Sequence, residues 1–211
     1  MTVASDQRRD RGRRGIPPLP GACLVVVDPQ RLFTDPASPA FVPAWASCRP
    51  AVAALAAGFA ARGLPVLAVR HAHPEGDDGG TMGLFWDRLQ RPGDPLSAVD
   101  AAAAGLPRGT RVVTKRRLSA LSVPAVRRAA RAEGTIVIAG VQTHLCVAAT
   151  AIEAARFALR PVVVTDATAA RDASLHDAAL ALLASGHAHL ATSAEVLAAL
   201  DAGVPERGVA R

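Results

Sequence analysis

Asp28, Lys115 and Cys146 are three residues of different chemistry in similar local settings. Asp28 closes the apolar run ACLVVVD (22–28), Lys115 follows RVVT (111–114), and Cys146 lies just past TIVIAGV, where a helical pattern begins. An acid, a cation and a thiol together suit nucleophilic catalysis. A thiolate at the start of a helix gains from the free N–H groups and the helix dipole, which lower its pKa. A nearby ammonium lowers it further. A carboxylate can take the thiol proton and later return it to a leaving amine. Each residue also has a plainer reading: Asp28, before Pro29, as a turn cap, Lys115 as a surface charge, Cys146 as a packing residue. Their common place at the ends of apolar runs favours the chemical reading.

Lys115 stands out by type. Of the 24 Lys plus Arg residues it is the only lysine. Arginine is broad, planar and always charged; lysine is a compact point charge on a flexible stem. A small site already holding a carboxylate and a thiol has room for an ammonium and not for a guanidinium.

The elements that must position these residues alternate. Apolar runs at 22–28, 65–70, 111–114, 135–140, 161–165 and 188–191 read as buried strands, because strands covered on both faces are unbroken apolar stretches. Helical patterns fall at 51–63, 122–132, 145–159, 174–185 and 193–201. Strand–helix alternation implies right-handed βαβ units. The expected fold is α/β: a doubly wound, mainly parallel sheet of about six strands with helices on both faces, with ligands beyond the carboxyl ends of the strands. Residues 71–110 lack clear periodicity, and their glycine cluster EGDDGGTMG (75–83) reads as a mobile loop. There is no GxGxxG and no Walker-type loop, which removes the usual nucleotide signatures.

Composition narrows the class. The 211 residues carry a net charge of +6, and half of it sits in MTVASDQRRDRGRRG, where five arginines face Asp6 and Asp10. This divides the chain into a basic arm expected to be disordered (1–16), one domain (17–204) and a short tail (205–211). No zinc-finger or RNA-binding aromatic motif accompanies the arm, so a nucleic-acid partner is not expected. Nor is a membrane partner, since no spanning segment or signal peptide is read. Three widely spaced cysteines, Cys23, Cys48 and Cys146, fit free thiols in a reducing cytoplasm.

The stretches VVVDPQRLF (25–33), VVTKRRLSAL (112–121) and IAGVQTHLCVAATAIEA (138–154) resemble the three characteristic segments of the isochorismatase-like cysteine hydrolases. That superfamily includes nicotinamidases, N-carbamoylsarcosine amidohydrolases and isochorismatases. The likeness runs from about residue 22 to residue 200, in order. It implies Asp28 as general base, Lys115 as stabilising cation and Cys146 as nucleophile. It also implies a cis peptide at Val141–Gln142, with the N–H groups of Gln142 and Cys146 forming an oxyanion hole. The implied reaction is hydrolysis of a small-molecule C–N amide or N-carbamoyl bond through a cysteine thioester. The alternatives are vinyl ether hydrolysis, with the aspartate as acid and base, and a non-catalytic binding protein on the same fold. The resemblance further implies a homodimer or homotetramer. No cofactor is expected.

The departures are informative. RHAHPEG places His71 where nicotinamidases resemble one another in an aspartate, and His73 where their first metal-binding histidine would be. His71 and His73 are thus weak metal candidates, needing a third ligand such as Asp77 or Asp87. Leu121 stands where a phenylalanine is usual. Phe33, His71, Trp86, Leu121 and His144 are candidate pocket residues, with core packing as the competing reading for the aromatics, including Phe85.

Overall fold

The computed structural model describes residues 16–86 and 88–203. The expected basic arm, apart from residue 16, and the C-terminal tail lie outside them. Six strands form one sheet: β1 (Cys23–Val27), β2 (Val66–His71), β3 (Arg111–Lys115), β4 (Thr135–Val141), β5 (Arg160–Ala169) and β6 (His189–Ala191). Their order is β3-β2-β1-β4-β5-β6, and every pairing between them is parallel. The chain starts in the middle, winds outward to β3, then crosses back to β4. The switch point therefore falls between β1 and β4, where crossovers leave in opposite directions and open a crevice.

The unbroken apolar runs arise because both faces of the sheet are covered. Leu24 and Val26 of β1 pack with Val52, Leu55 and Phe59 of helix α1 (Trp45–Ala61) and with Val196 and Leu200 of α5 (Ser193–Gly203). Cys23, Val25 and Val27 point the other way. They join Val126 and Ala130 of α2 (Pro124–Glu133), Ala151 of α3 (Ala148–Ala154) and Leu183 of α4 (Ala173–Ala184). Alternation is present in the directions of the side chains, but both directions lead into a core.

Differences from the sequence reading have local causes. Helix α1 begins six residues before 51 and contains Pro50. Pro50 is its sixth residue, just past the first turn, so the helix forgoes the bond that an N–H there would make to the Ala46 carbonyl. β5 continues to Ala169, past the expected end at 165, where Thr165, Asp166 and Thr168 interrupt the apolar run and hide the rest of the strand from the pattern. The expected helix 145–159 is three pieces: a π turn (Thr143–Val147), α3, and a 3-10 turn (Ala155–Phe157). Between β2 and β3 the described residues form short 3-10 turns at Gly80–Leu84 and Pro95–Ser97 and an isolated antiparallel bridge of Val99 with Gln30.

β4 and β1 approach each other closely just before the crevice. A Cβ on Gly140 would lie 2.1 Å from the Val27 carbonyl oxygen, and Gly140 has φ +105°. Only glycine meets both conditions. Among the described residues, no helix is long and apolar enough to cross a membrane.

Candidate active site

Three strand ends converge on one cluster. Asp28 directly follows β1 and has φ +49°, a left-handed conformation that Asp tolerates better than most residues. Lys115 is the last residue of β3. Cys146 lies in the π turn after β4, and that turn is pinned from two sides. The Thr150 hydroxyl donates to the Cys146 carbonyl at 2.6 Å and accepts the Ala120 N–H at 2.9 Å. Thr143 Oγ1 is 2.8 Å from His176 Nδ1 on α4.

Lys115 Nζ sits 2.9 Å from Asp28 Oδ2 and 3.2 Å from Cys146 Sγ. The side chains of Asp28 and Lys115 are fully buried. The third neighbour of the ammonium is His71 Nδ1, at 3.0 Å. His71 itself is positioned through its backbone by Gln30, whose Oε1 accepts the His71 N–H at 2.7 Å. Gln30 Nε2 donates to the carbonyls of His71 (3.0 Å) and Ser97 (3.1 Å). The buried glutamine of D-P-Q thus joins the ends of β1 and β2 to the loop beyond.

Burial and pairing compete for the charges. Desolvation raises the Asp28 pKa from 3.8, although Lys115 and the Cys146 thiol pull it back. For Lys115 desolvation acts downward, yet the attraction of Asp28 and Cys146 outweighs it and leaves the pKa above 10.5. The Cys146 thiol is pushed up to about 12, by burial first and by Asp28 second, against Lys115. The expected low-pKa thiolate is corrected here. Cys146 lies inside the turn rather than at a free helix end, and the one positive charge is already shared with a carboxylate. Burial thus favours the protonated thiol at Cys146, and pairing keeps the charge on Lys115.

The cluster floors a cavity of about 550 Å³, lined by Asp28, His71, Gln142 and Cys146 and walled by apolar side chains that include Phe33, Met82, Trp86, Leu89 and Leu145. Arg88 and Arg171 also line it.

The isochorismatase domain family matches residues 22–195. The chain belongs to that family. No protein of curated function matches. Among solved structures, an isochorismatase family protein from Burkholderia thailandensis is 30% identical, with a TM-score of 0.74, over 88% of this chain and 99% of that one. A cysteine hydrolase from Pseudomonas syringae pv. phaseolicola shares the fold at 22% identity and a TM-score of 0.80, over 90% of this chain and 100% of its own. A pyrazinamidase/nicotinamidase from Streptococcus mutans does so at 23% and 0.70, over 81% and 100%.

Within this family fold, the remaining candidate positions divide. Phe33, His71 and Trp86 line the cavity. Leu121 does not: it is fully buried in the core under α2, where the segment after Lys115 turns inward. His144 is half-buried and is not among the lining residues, because the π turn carries it away from the cavity. The peptide Val141–Gln142 is cis. His71 and His73 do not form a metal set with Asp77, since among the described residues no three His, Cys, Asp or Glu side chains are grouped to hold an ion. Their ring nitrogens face Lys115 and each other instead. Asp87 lies outside the described residues. Arg171 was not distinguished by sequence among so many arginines. Its N–H donates to Gln142 Oε1 at 3.1 Å and its Nη1 to the Pro39 carbonyl at 3.0 Å. Gln30 carried one signal, its place two residues after Asp28.

Proposed function

We propose that the protein is a cysteine-dependent hydrolase of amide or N-carbamoyl C–N bonds. The observation that carries this reading is the buried Lys115 ammonium lying between a carboxylate and a thiol that both line the cavity. Because Cys146 rests protonated, proton removal accompanies attack. Asp28 takes the Sγ proton as sulfur bonds to the substrate carbonyl carbon, and the oxygen gains the charge. Backbone N–H groups of Gln142 and Cys146 are the donors proposed for that oxygen. When the tetrahedral species collapses, the C–N bond breaks and Asp28 protonates the leaving nitrogen. Asp28 then draws a proton from water, which attacks the thioester and releases the acid and the Cys146 thiol. Lys115 keeps its proton throughout and offsets the negative charge as it moves from Asp28 to the reacting atoms.

The mostly apolar cavity walls suit a substrate with an apolar body. A second reading, vinyl ether hydrolysis, is favoured by one observation: a carboxyl with a raised pKa can also serve as a general acid.

The test is release of ammonia or amine from a panel of primary amides and N-carbamoyl compounds, with Cys146→Ala alongside. We expect wild-type release, with the variant down by at least about 10⁴-fold, as for loss of a nucleophile. Near-normal turnover in Cys146→Ala excludes the thioester route. Vinyl ether cleavage that survives in the variant establishes the second reading.

A further inference from the structure

The Lys115 ammonium has three N–H groups, and the hydrolytic reading uses only those facing Asp28 and Cys146. The third faces His71 Nδ1 at 3.0 Å. This contact is set by the sheet, because His71 and Lys115 end β2 and β3 and are register partners. Behind it a file of polar groups leads outward. His71 Nε2 lies 2.8 Å from His73 Nε2. His73 is fully buried, and its Nδ1 lies 3.5 Å from Asp77 Oδ2. Asp77 accepts the Gly79 N–H at 2.8 Å and lies 3.2 Å from Arg116 Nη1.

The chemistry of the donors fixes the direction of the two bonds that His71 makes in this file. An ammonium has no lone pair, so His71 Nδ1 must be the unprotonated nitrogen. A neutral His71 then carries its proton on Nε2 and donates it to His73 Nε2. That leaves the His73 proton on Nδ1, facing the Asp77 carboxylate. Burial, then the charge of Lys115, push the His71 pKa down to about 3, which agrees with a neutral ring. Asp77 is held below its ordinary value, chiefly by the Gly79 N–H, and so ends the file as an anion. The Arg117 backbone also faces the His71 ring and acts in the opposite direction on its pKa, as a competing acceptor for its N–H.

We propose that His71 is a positioning residue. It accepts the third proton of the Lys115 ammonium, is locked in its Nε2–H tautomer by His73 and Asp77, and so holds the other two protons on Asp28 and Cys146. Its catalytic consequence rests on the hydrolytic reading; its tautomer does not.

The experiment is therefore in two arms on the full chain. In the first, ¹⁵N NMR of histidine-labelled protein at neutral pH, without substrate, reads the tautomers. We expect a neutral His71 with unprotonated Nδ1 and protonated Nε2, perturbed by Lys115→Met. A proton on His71 Nδ1 overturns the proposal. In the second arm, kinetics compare His71→Leu and His71→Asn, with melting curves to establish folding. Loss of a lysine anchor should lower kcat about a hundredfold in His71→Leu, the scale of a small misplacement of a catalytic group. Asn offers Oδ1 where Nδ1 stood and should recover kcat to within about tenfold of wild type. Folded His71→Leu with wild-type kcat, or folded His71→Asn no better than His71→Leu, overturns it. If the wild type turns over no amide or carbamoyl compound, the hydrolytic reading fails and the NMR arm still decides this one.

Discussion

The floor of the cavity and its outer wall are built on opposite plans. The floor comes from the ends of β1, β3 and β4, with Asp28 and Lys115 at 0% side-chain exposure over a sheet filled with valine and isoleucine. The wall includes Met82, Trp86 and Leu89 of the long connection from β2 to β3, where Trp86 is 37% exposed and the neighbouring Leu84 and Phe85 stand outside the cavity at 82% and 75%. Groups that must hold a distance to a few tenths of an ångström stand on elements that pack on both faces. Groups that select a ligand stand on a loop whose neighbours give way at little cost. The contrast separates residues whose loss should damage folding and turnover together from residues whose loss should redirect binding.

The sharpest way to break it is Lys115→Met. Removing one partner of a buried ion pair forces Asp28 to take up a proton or stand as an uncompensated charge, and losses of this kind run at roughly 3–5 kcal/mol. Denaturant unfolding should show that loss, and turnover should vanish because an unpaired Asp28 becomes protonated. An unchanged midpoint would mean that the floor is not the rigid part. Gly140→Ala should come next, at roughly 2–4 kcal/mol. Its Cβ meets the Val27 backbone, and its φ of +105° is hostile to L side chains.

His71 yields a smaller, pH-dependent effect. Its folded pKa is about 3 against an ordinary 6.5. Between these values the unfolded chain binds a proton that the folded one refuses, so this contribution is whole above pH 6.5 and drains away as pH falls toward 3. Melting temperatures from pH 8 to pH 4 should fall less steeply in His71→Asn. The smallest effect is expected at the wall. Trp86→Ala should change stability by no more than about 0.5 kcal/mol. It should raise KM for bulky apolar substrates about tenfold, the scale of one lost apolar contact, and leave kcat nearly untouched. A collapse in kcat would place Trp86 in the floor.

The same division explains what could be read without coordinates. The six strands were legible because burial on both faces leaves continuous apolar runs. Asp28, Lys115 and Cys146 were legible because strand ends are where such a sheet gathers ligands, and because one lysine among so many arginines is conspicuous. The contact of His71 with Lys115 was not legible, since it depends on the register of two strands and neither run specifies which residue faces which. The protonation of Cys146 was misread for a related reason: type and spacing identify a thiol near a cation but not how deeply both are buried. Wall residues such as Leu89 and Arg171 had no periodicity or rarity to mark them.

The burial of Lys115 also has a practical side. It is the chain's only lysine, and its side chain has no exposure to solvent. The folded surface therefore offers no lysine amine to an acylating reagent, and opening of the sheet edge uncovers a single one. Modification at that position, followed by mass spectrometry, counts openings of the cavity floor one molecule at a time, with no spectroscopic probe and no knowledge of the substrate.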